Sequence, residues 1–214
     1  MRRFNLLSMV VAADAGTRRF LLKTKVLIAV GCVLLTGAIS FSGADAADGK
    51  SAVSNHASCS VMPLMNKDFF PVLLQTVDDA KKEIFIAVFS FKAGVHPNSR
   101  PDLLLEHLGR AVKRGVSVKV ILENPGNHQD SLFSQNLKTK ALLEEKGVKV
   151  YLDSPAKTTH TKLVVVDQRL VFIGSHNFTS SALKYNNEIS VLIDKPDLAQ
   201  NVRNYMLTII EDAK

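Results

Sequence analysis

The alternation of helically spaced stretches with short, unbroken apolar runs restricts this chain more than any other feature. "DFFPVLLQTVDDAKK" (68–82) places its apolar residues at helical spacing, and "EIFIAVFSF" follows without polar alternation. "PDLLLEHLGRAVKRG" reads as a helix with Pro101 in its first turn and Gly115 at its stop, followed by the strand "VSVKVILE" and the loop "NPGNHQD". A third pair, "SLFSQNLKTKALLEEKG" and "VKVYLD", repeats the pattern. Strands apolar throughout must be covered on both faces, so helices on both sides of a sheet are expected. "TKLVVVD" and "RLVFIGS" are separated only by a short turn and pair as a hairpin, which makes the sheet mixed. "NEISVLID" is a last strand and "PDLAQNVRNYMLTIIEDA" a closing amphipathic helix, while Pro63 assigns "SCSVMPLM" to a sheet edge. The expected class is α/β, a mixed β-sheet sandwiched between helices. No repeat or linker divides it.

The first 46 residues do not share this pattern. Six basic residues, Arg2, Arg3, Arg18, Arg19, Lys23 and Lys25, precede the apolar run Val26 to Phe41, and "SGADAAD" behind it places Ala44 and Ala46 at an A-x-A site. Basic flank, apolar core and small-residue site are the parts of a secretory signal, with cleavage near Ala47 and a start codon downstream of Met1. The run is sixteen residues long, against about 20 for a membrane span, so an uncleaved anchor is the second reading. A lipoprotein linkage through Cys32 is weak, because apolar residues continue past it. The expected division is a signal peptide over 1–46, a flexible lead over 47–60 and a folded domain over 61–214, in a periplasmic or secreted protein. Losing the leader's six basic and two acidic residues lowers the net charge from +7 to +3, which permits an anionic substrate without demanding one. Cys59 would be the sole remaining cysteine, either buried or paired between chains.

Within the hairpin, His160 and Lys162 lie two residues apart and share a strand face. Asp167 falls an odd number of residues from both, so it points away and is expected to organise the turn at Gln168 and Arg169. The second strand ends in "GSHN", where Gly174 permits close backbone approach and Ser175 and Asn177 supply neutral donors. The hairpin therefore brings His, Lys, Ser and Asn to one end of the sheet. That set suits an anion with tetrahedral oxygens, or else a solvated sheet end.

His160-x-Lys162, Asp167 after four more residues, Gly174-Ser175 after six more and then Asn177 resemble the HxKxxxxD…GS…N signature of the phospholipase D superfamily. The order of elements from about Val61 onward is similar to its small single-motif branch, that of the bacterial endonuclease Nuc. The resemblance implies a catalytic domain over 61–214 and a metal-independent phosphodiesterase without a cofactor. Neutral His160 would attack phosphorus to give a phosphohistidine, and Lys162, Asn177 and Ser175 would hold the non-bridging oxygens. Glu188 stands where the family carries a carboxylate that orients the histidine. With a single motif copy, a homodimer with a shared active site would supply the second histidine. Nucleic acid is the expected substrate of a non-specific endonuclease. Phospholipid headgroups, and an idle nucleic-acid-binding module, are the alternatives.

The remaining candidates take plainer readings. His56, His96 and His107 read as surface residues and His176 as structural, while His128 could rim the site. Lys113 and Arg114 read as a solvated helix end. Phe69, Phe70, Phe85 and Phe89 read as core.

Overall fold

The computed structural model describes residues 59–127 and 129–213. The expected signal peptide, most of the lead, His56 and His128 lie outside these residues. Seven strands form one mixed sheet: β1 (Ser60–Met65), β2 (Glu83–Val88), β3 (Ser117–Leu122), β4 (Lys149–Leu152), β5 (Lys162–Val166), β6 (Leu170–Gly174) and β7 (Ile189–Asp194). They lie in the order β1-β7-β6-β5-β2-β3-β4. β2, β3 and β4 are parallel and joined by helices, and every other pairing is antiparallel. The hairpin of β5 and β6 forms as expected.

The helices are α1 (Phe69–Asp79), α2 (Arg100–Lys113), α3 (Ser131–Glu145), α4 (Ser180–Lys184) and α5 (Pro196–Asp212). Along β2 the side chains alternate between two cores. Ile84, Ile86 and Val88 join the cluster that holds Leu73, Leu104, Leu108, Leu143 and Leu183 of α1 to α4. Phe85 and Ala87 join Ala199, Met206 and Ile210 of α5 on the opposite face. A strand buried on both faces has no reason to alternate apolar with polar residues, which explains the unbroken run. Pro63 sits in edge strand β1 as expected.

Cys59 is exposed, which removes the buried alternative of the two expected for it. The segment 180–184 forms a short helix that the sequence reading left unassigned; Thr179 Oγ1 caps it by accepting from Ala182 N–H. Asp167 does not organise its own turn with its side chain. Its carboxylate accepts the backbone N–H groups of Lys81, Lys82 and Glu83, some 85 residues away, at 2.9, 2.7 and 3.0 Å. The hairpin packs its turn against the start of β2, where Asp167 satisfies three consecutive N–H groups. Asp167 and Gln168 instead make the turn through positive φ angles of 52° and 56°.

No helix among the described residues is long and apolar enough to cross a membrane.

Candidate active site

The sheet's topology gathers one set of strand ends. β2, β3, β4 and β6 finish where β5 and β7 begin, because β5 and β7 run against their neighbours. His160 and Lys162 therefore meet Ser175, Asn177 and Glu188 at this end, and Asp167 lies at the other.

His160 is exposed. Its ring meets the edge of Phe89 with centroids 4.7 Å apart and planes at 69°, and no described group hydrogen-bonds to it. Lys162 is half-buried; its Nζ donates to the His160 carbonyl at 3.1 Å and stands 5.1 Å from the Phe89 centroid. Burial pushes the Lys162 ammonium below its ordinary pKa, and the charge of Glu188 opposes that shift. Phe89 is thus a shared platform under both residues rather than core. Phe69, Phe70 and Phe85 are buried as expected.

Gly174 is fixed by close approach. A Cβ there would stand 2.1 Å from Ser190 Oγ and 2.4 Å from its Cα, so β7 could not lie so close against β6 with any other residue. That proximity decides what Glu188 touches. Its carboxylate receives the Ser175 hydroxyl and, at 3.0 Å, the Asn186 amide, and it does not hold His160. The strand order explains the difference: β6 lies between β7 and β5, so Ser175 stands between Glu188 and the Lys162 strand. The hydroxyl proton of Ser175 is engaged by Glu188, and its oxygen accepts Ile189 N–H at 3.1 Å. Asn177 is half-buried, with Oδ1 enclosed and unpartnered among the described residues.

His176 is fully buried and structural, as read. It stacks on Phe69 at 4.2 Å, and its ring nitrogens meet Ser190 Oγ at 2.7 Å and the Asn66 carbonyl at 3.0 Å. Burial holds its pKa below the ordinary histidine value. His107 is not free on its helix face but pairs with Asp78 at 2.8 Å, and His96 is exposed. Arg114 reaches back to the Val77 carbonyl at 2.8 Å rather than standing wholly in solvent.

Two buried acids bonded to Thr159, the residue before His160, had no reading from the sequence. Glu123 and Asp153 close β3 and β4, and both accept the single N–H of Thr159, at 2.5 and 3.1 Å. Asp153 also takes Asn124 N–H at 2.6 Å. Burial, reinforced by the neighbouring Asp153, pushes the Glu123 carboxyl up to about 7, against the opposing Thr159 bond. Both acids end strands that the pattern shows to be consecutive and parallel, and that was the available signal. Among the described residues no group of His, Cys, Asp and Glu gathers as a metal-binding cluster.

The comparisons with known proteins agree with this fold. The family model described as "Cardiolipin synthase, PLD-like domain" matches residues 73–210. A phospholipase D of Rickettsia prowazekii is 26% identical over 148 residues, covering 69% of this chain and 64% of that protein. A cardiolipin synthase A of Buchnera aphidicola is 32% identical over 133 residues, covering 61% of this chain and 25% of that protein. The chain thus spans less than two thirds of the length of these relatives. Among solved structures, Nuc from Salmonella typhimurium, a phospholipase D family member, is 26% identical with a TM-score of 0.62, over 73% of this chain and 97% of that one. NucT from Helicobacter pylori, 18% identical with a TM-score of 0.59, shares the fold. The matched stretch takes in the whole His160-to-Glu188 constellation and most of the sheet that assembles it, and the chain belongs to the phospholipase D-like domain family.

Proposed function

We propose that the chain is a metal-independent phosphodiester hydrolase, most specifically a non-specific endonuclease, with His160 as its nucleophile. The observation that carries this reading is the exposed, unbonded imidazole of His160 beside the half-buried Lys162 ammonium, both set on Phe89. The imidazole attacks phosphorus, forming an N–P bond as the P–O bond to the leaving group breaks. Water then attacks the phosphohistidine and restores the imidazole. Lys162 Nζ and the Asn177 amide bind the non-bridging oxygens; the enclosed Oδ1 of Asn177 turns its donor nitrogen to the open side. Ser175 and Glu188 act behind them: Glu188 anchors Ser175, and its charge favours protonated Lys162.

The leaving oxygen needs a proton from the side opposite the nucleophile. His176 cannot supply it, because it is buried with both ring nitrogens engaged. A two-fold homodimer that places a second His160 across the phosphate meets this need. Nucleic acid is favoured because the alignment spans nearly all of Nuc. The names of the phospholipase D and cardiolipin synthase relatives support phospholipid as the second reading.

Purified protein should nick supercoiled plasmid in the presence of EDTA and leave phosphatidylcholine vesicles intact. Hydrolysis of vesicles without nicking would transfer the reading to phospholipid. Activity lost on chelation and restored by a divalent ion would end the metal-independent mechanism. Binding without turnover on any diester would leave an idle nucleic-acid-binding module.

A further inference from the structure

A cavity of about 650 Å³ opens between the loop before α2 and the segment that carries α4. One wall is an excursion between two residues of the candidate site: the chain leaves at Asn177, forms α4, and returns through Tyr185 to Glu188. Ser180 follows Asn177 by three positions and Glu188 follows Tyr185 by three, and three extended residues span at most about 10 Å. A smaller cavity of about 200 Å³ shares His96, Ser180 and Ser181 with the first and adds Lys92. The backbone N–H of Lys92 donates to the Phe178 carbonyl at 2.9 Å, directly beside Asn177. The two hollows share His96, Ser180 and Ser181 and form one groove, which is lined from Thr179 onward by the segment that follows Asn177.

The groove is cationic. Lys92, Arg100 and Lys184 line it, and no carboxylate does. None of the three forms an ion pair with a described carboxylate, whereas Lys119 and Arg203 close on Glu83 and Arg169 on Asp194. Arg100 is half-buried over the Phe70 ring, at 5.3 Å from its centroid, with Nη1 enclosed and without an acceptor among the described residues. A half-buried guanidinium without a counter-charge is costly unless an anion shares its site. At the outer end Tyr185 is 71% exposed, with Lys184 Nζ 5.0 Å from its ring. An exposed aromatic ring among cations is a platform on which a base can stack. A lipid would need apolar lining for its chains, and Val95, in the smaller hollow, is the one aliphatic side chain lining the groove among the described residues.

We infer that this groove holds single-stranded polynucleotide running on from the bond at His160, with Lys92, Arg100 and Lys184 on its phosphates and Tyr185 against a base. The inference deepens the proposed function and rests on it only for which bond reaches His160.

The test uses the full chain carrying His160→Ala, titrated with a fluorescent single-stranded oligonucleotide over a range of salt. Adding Arg100→Met with Lys184→Met should lower the slope of log affinity against log salt by about 1.4. Tyr185→Ala should weaken binding roughly tenfold and leave that slope unchanged. If Arg100→Met lowers the melting temperature through its contact with Phe70, Lys92→Met with Lys184→Met, both exposed, carries the same slope expectation. Unchanged slope and affinity in these variants, or no oligonucleotide binding at all, overturns the groove. Phosphatidylglycerol vesicles held by these residues while the oligonucleotide is not would make it a lipid surface, and the polynucleotide assignment would be wrong. With His160 intact, the groove variants should raise KM for the oligonucleotide and leave hydrolysis of bis(p-nitrophenyl) phosphate, a single diester without a strand, unchanged. A wild-type protein inert on both substrates defeats the hydrolase reading, and the binding titration still decides the groove.

Discussion

Thr159 gives its one N–H to two buried carboxyl groups, and the next residue is His160. Two carboxylates sharing one donor in a buried site cannot both ionise cheaply, so Glu123 keeps its proton to about pH 7. The folded protein then holds a proton that the unfolded chain releases near the ordinary glutamate value. The resulting stability is complete below that value, declines as pH rises towards 7, and is gone above it. Urea unfolding should show the wild type more stable at pH 5 than at pH 7.5, by at most about 3 kcal/mol. Glu123→Gln should flatten this difference; an equal slope in the variant would show that another group titrates. His160 itself is expected to be dispensable for folding, being exposed and unbonded. His160→Ala should lower turnover by roughly four orders of magnitude and leave the melting temperature unchanged, by calorimetry.

Elements were legible in proportion to their length and regularity. All seven strands and the four longer helices follow from runs and periods in the sequence, because burial on both faces writes itself as an unbroken apolar run. α4 did not, since five residues carry no period and its start is set by the Thr179 cap. The candidate site was legible where one hairpin carries it, in His160, Lys162, Gly174, Ser175 and Asn177. It was illegible where separate strands meet: Phe89 looks like the end of a core run, and Glu123 and Asp153 like ordinary strand ends, until β2, β3 and β4 are laid side by side. The same cause displaced Asp167 and Glu188 from their expected partners. Helix α5 is fastened to the sheet by Arg203, which meets the buried Glu83 at 2.7 Å while Lys119 holds its other side at 2.9 Å. Arg203→Ala should cost on the order of 2–3 kcal/mol, below the usual loss for a broken buried pair because Lys119 remains. Gly174→Ala should be worse tolerated than its size implies, for β7, which carries Ser190, must move away from the new Cβ, and the loss should appear in both the melting temperature and turnover.

For the whole molecule, the single histidine motif makes subunit mixing informative. In the proposed homodimer, refolding equal amounts of wild-type and His160→Ala chains together would leave about a quarter of dimers with two intact copies. Activity should therefore fall to about a quarter of that of the same total of wild-type chain. A value of about half would mean that each chain works alone, and a tagged, purified mixed dimer separates the two outcomes directly. The proposed leader is tested by mass spectrometry of the protein from periplasm or medium, where the first residue should lie near Ala47; an intact leader in the membrane fraction would reverse that proposal.

The position of β7 has a consequence in time. It lies between β1 and β6, and its entry to the sheet brings Asn66 against Glu188, with Asn66 Oδ1 accepting Glu188 N–H at 2.8 Å and the Asn66 carbonyl meeting His176. During synthesis, β1 emerges early and waits with its pairing edge bare until residues 189–194 arrive. Ser175 likewise has no Glu188 to clasp until then. A chain that has not yet delivered residues 189–194 therefore lacks the assembled candidate site, and the proposed nuclease activity would be withheld until those residues have emerged.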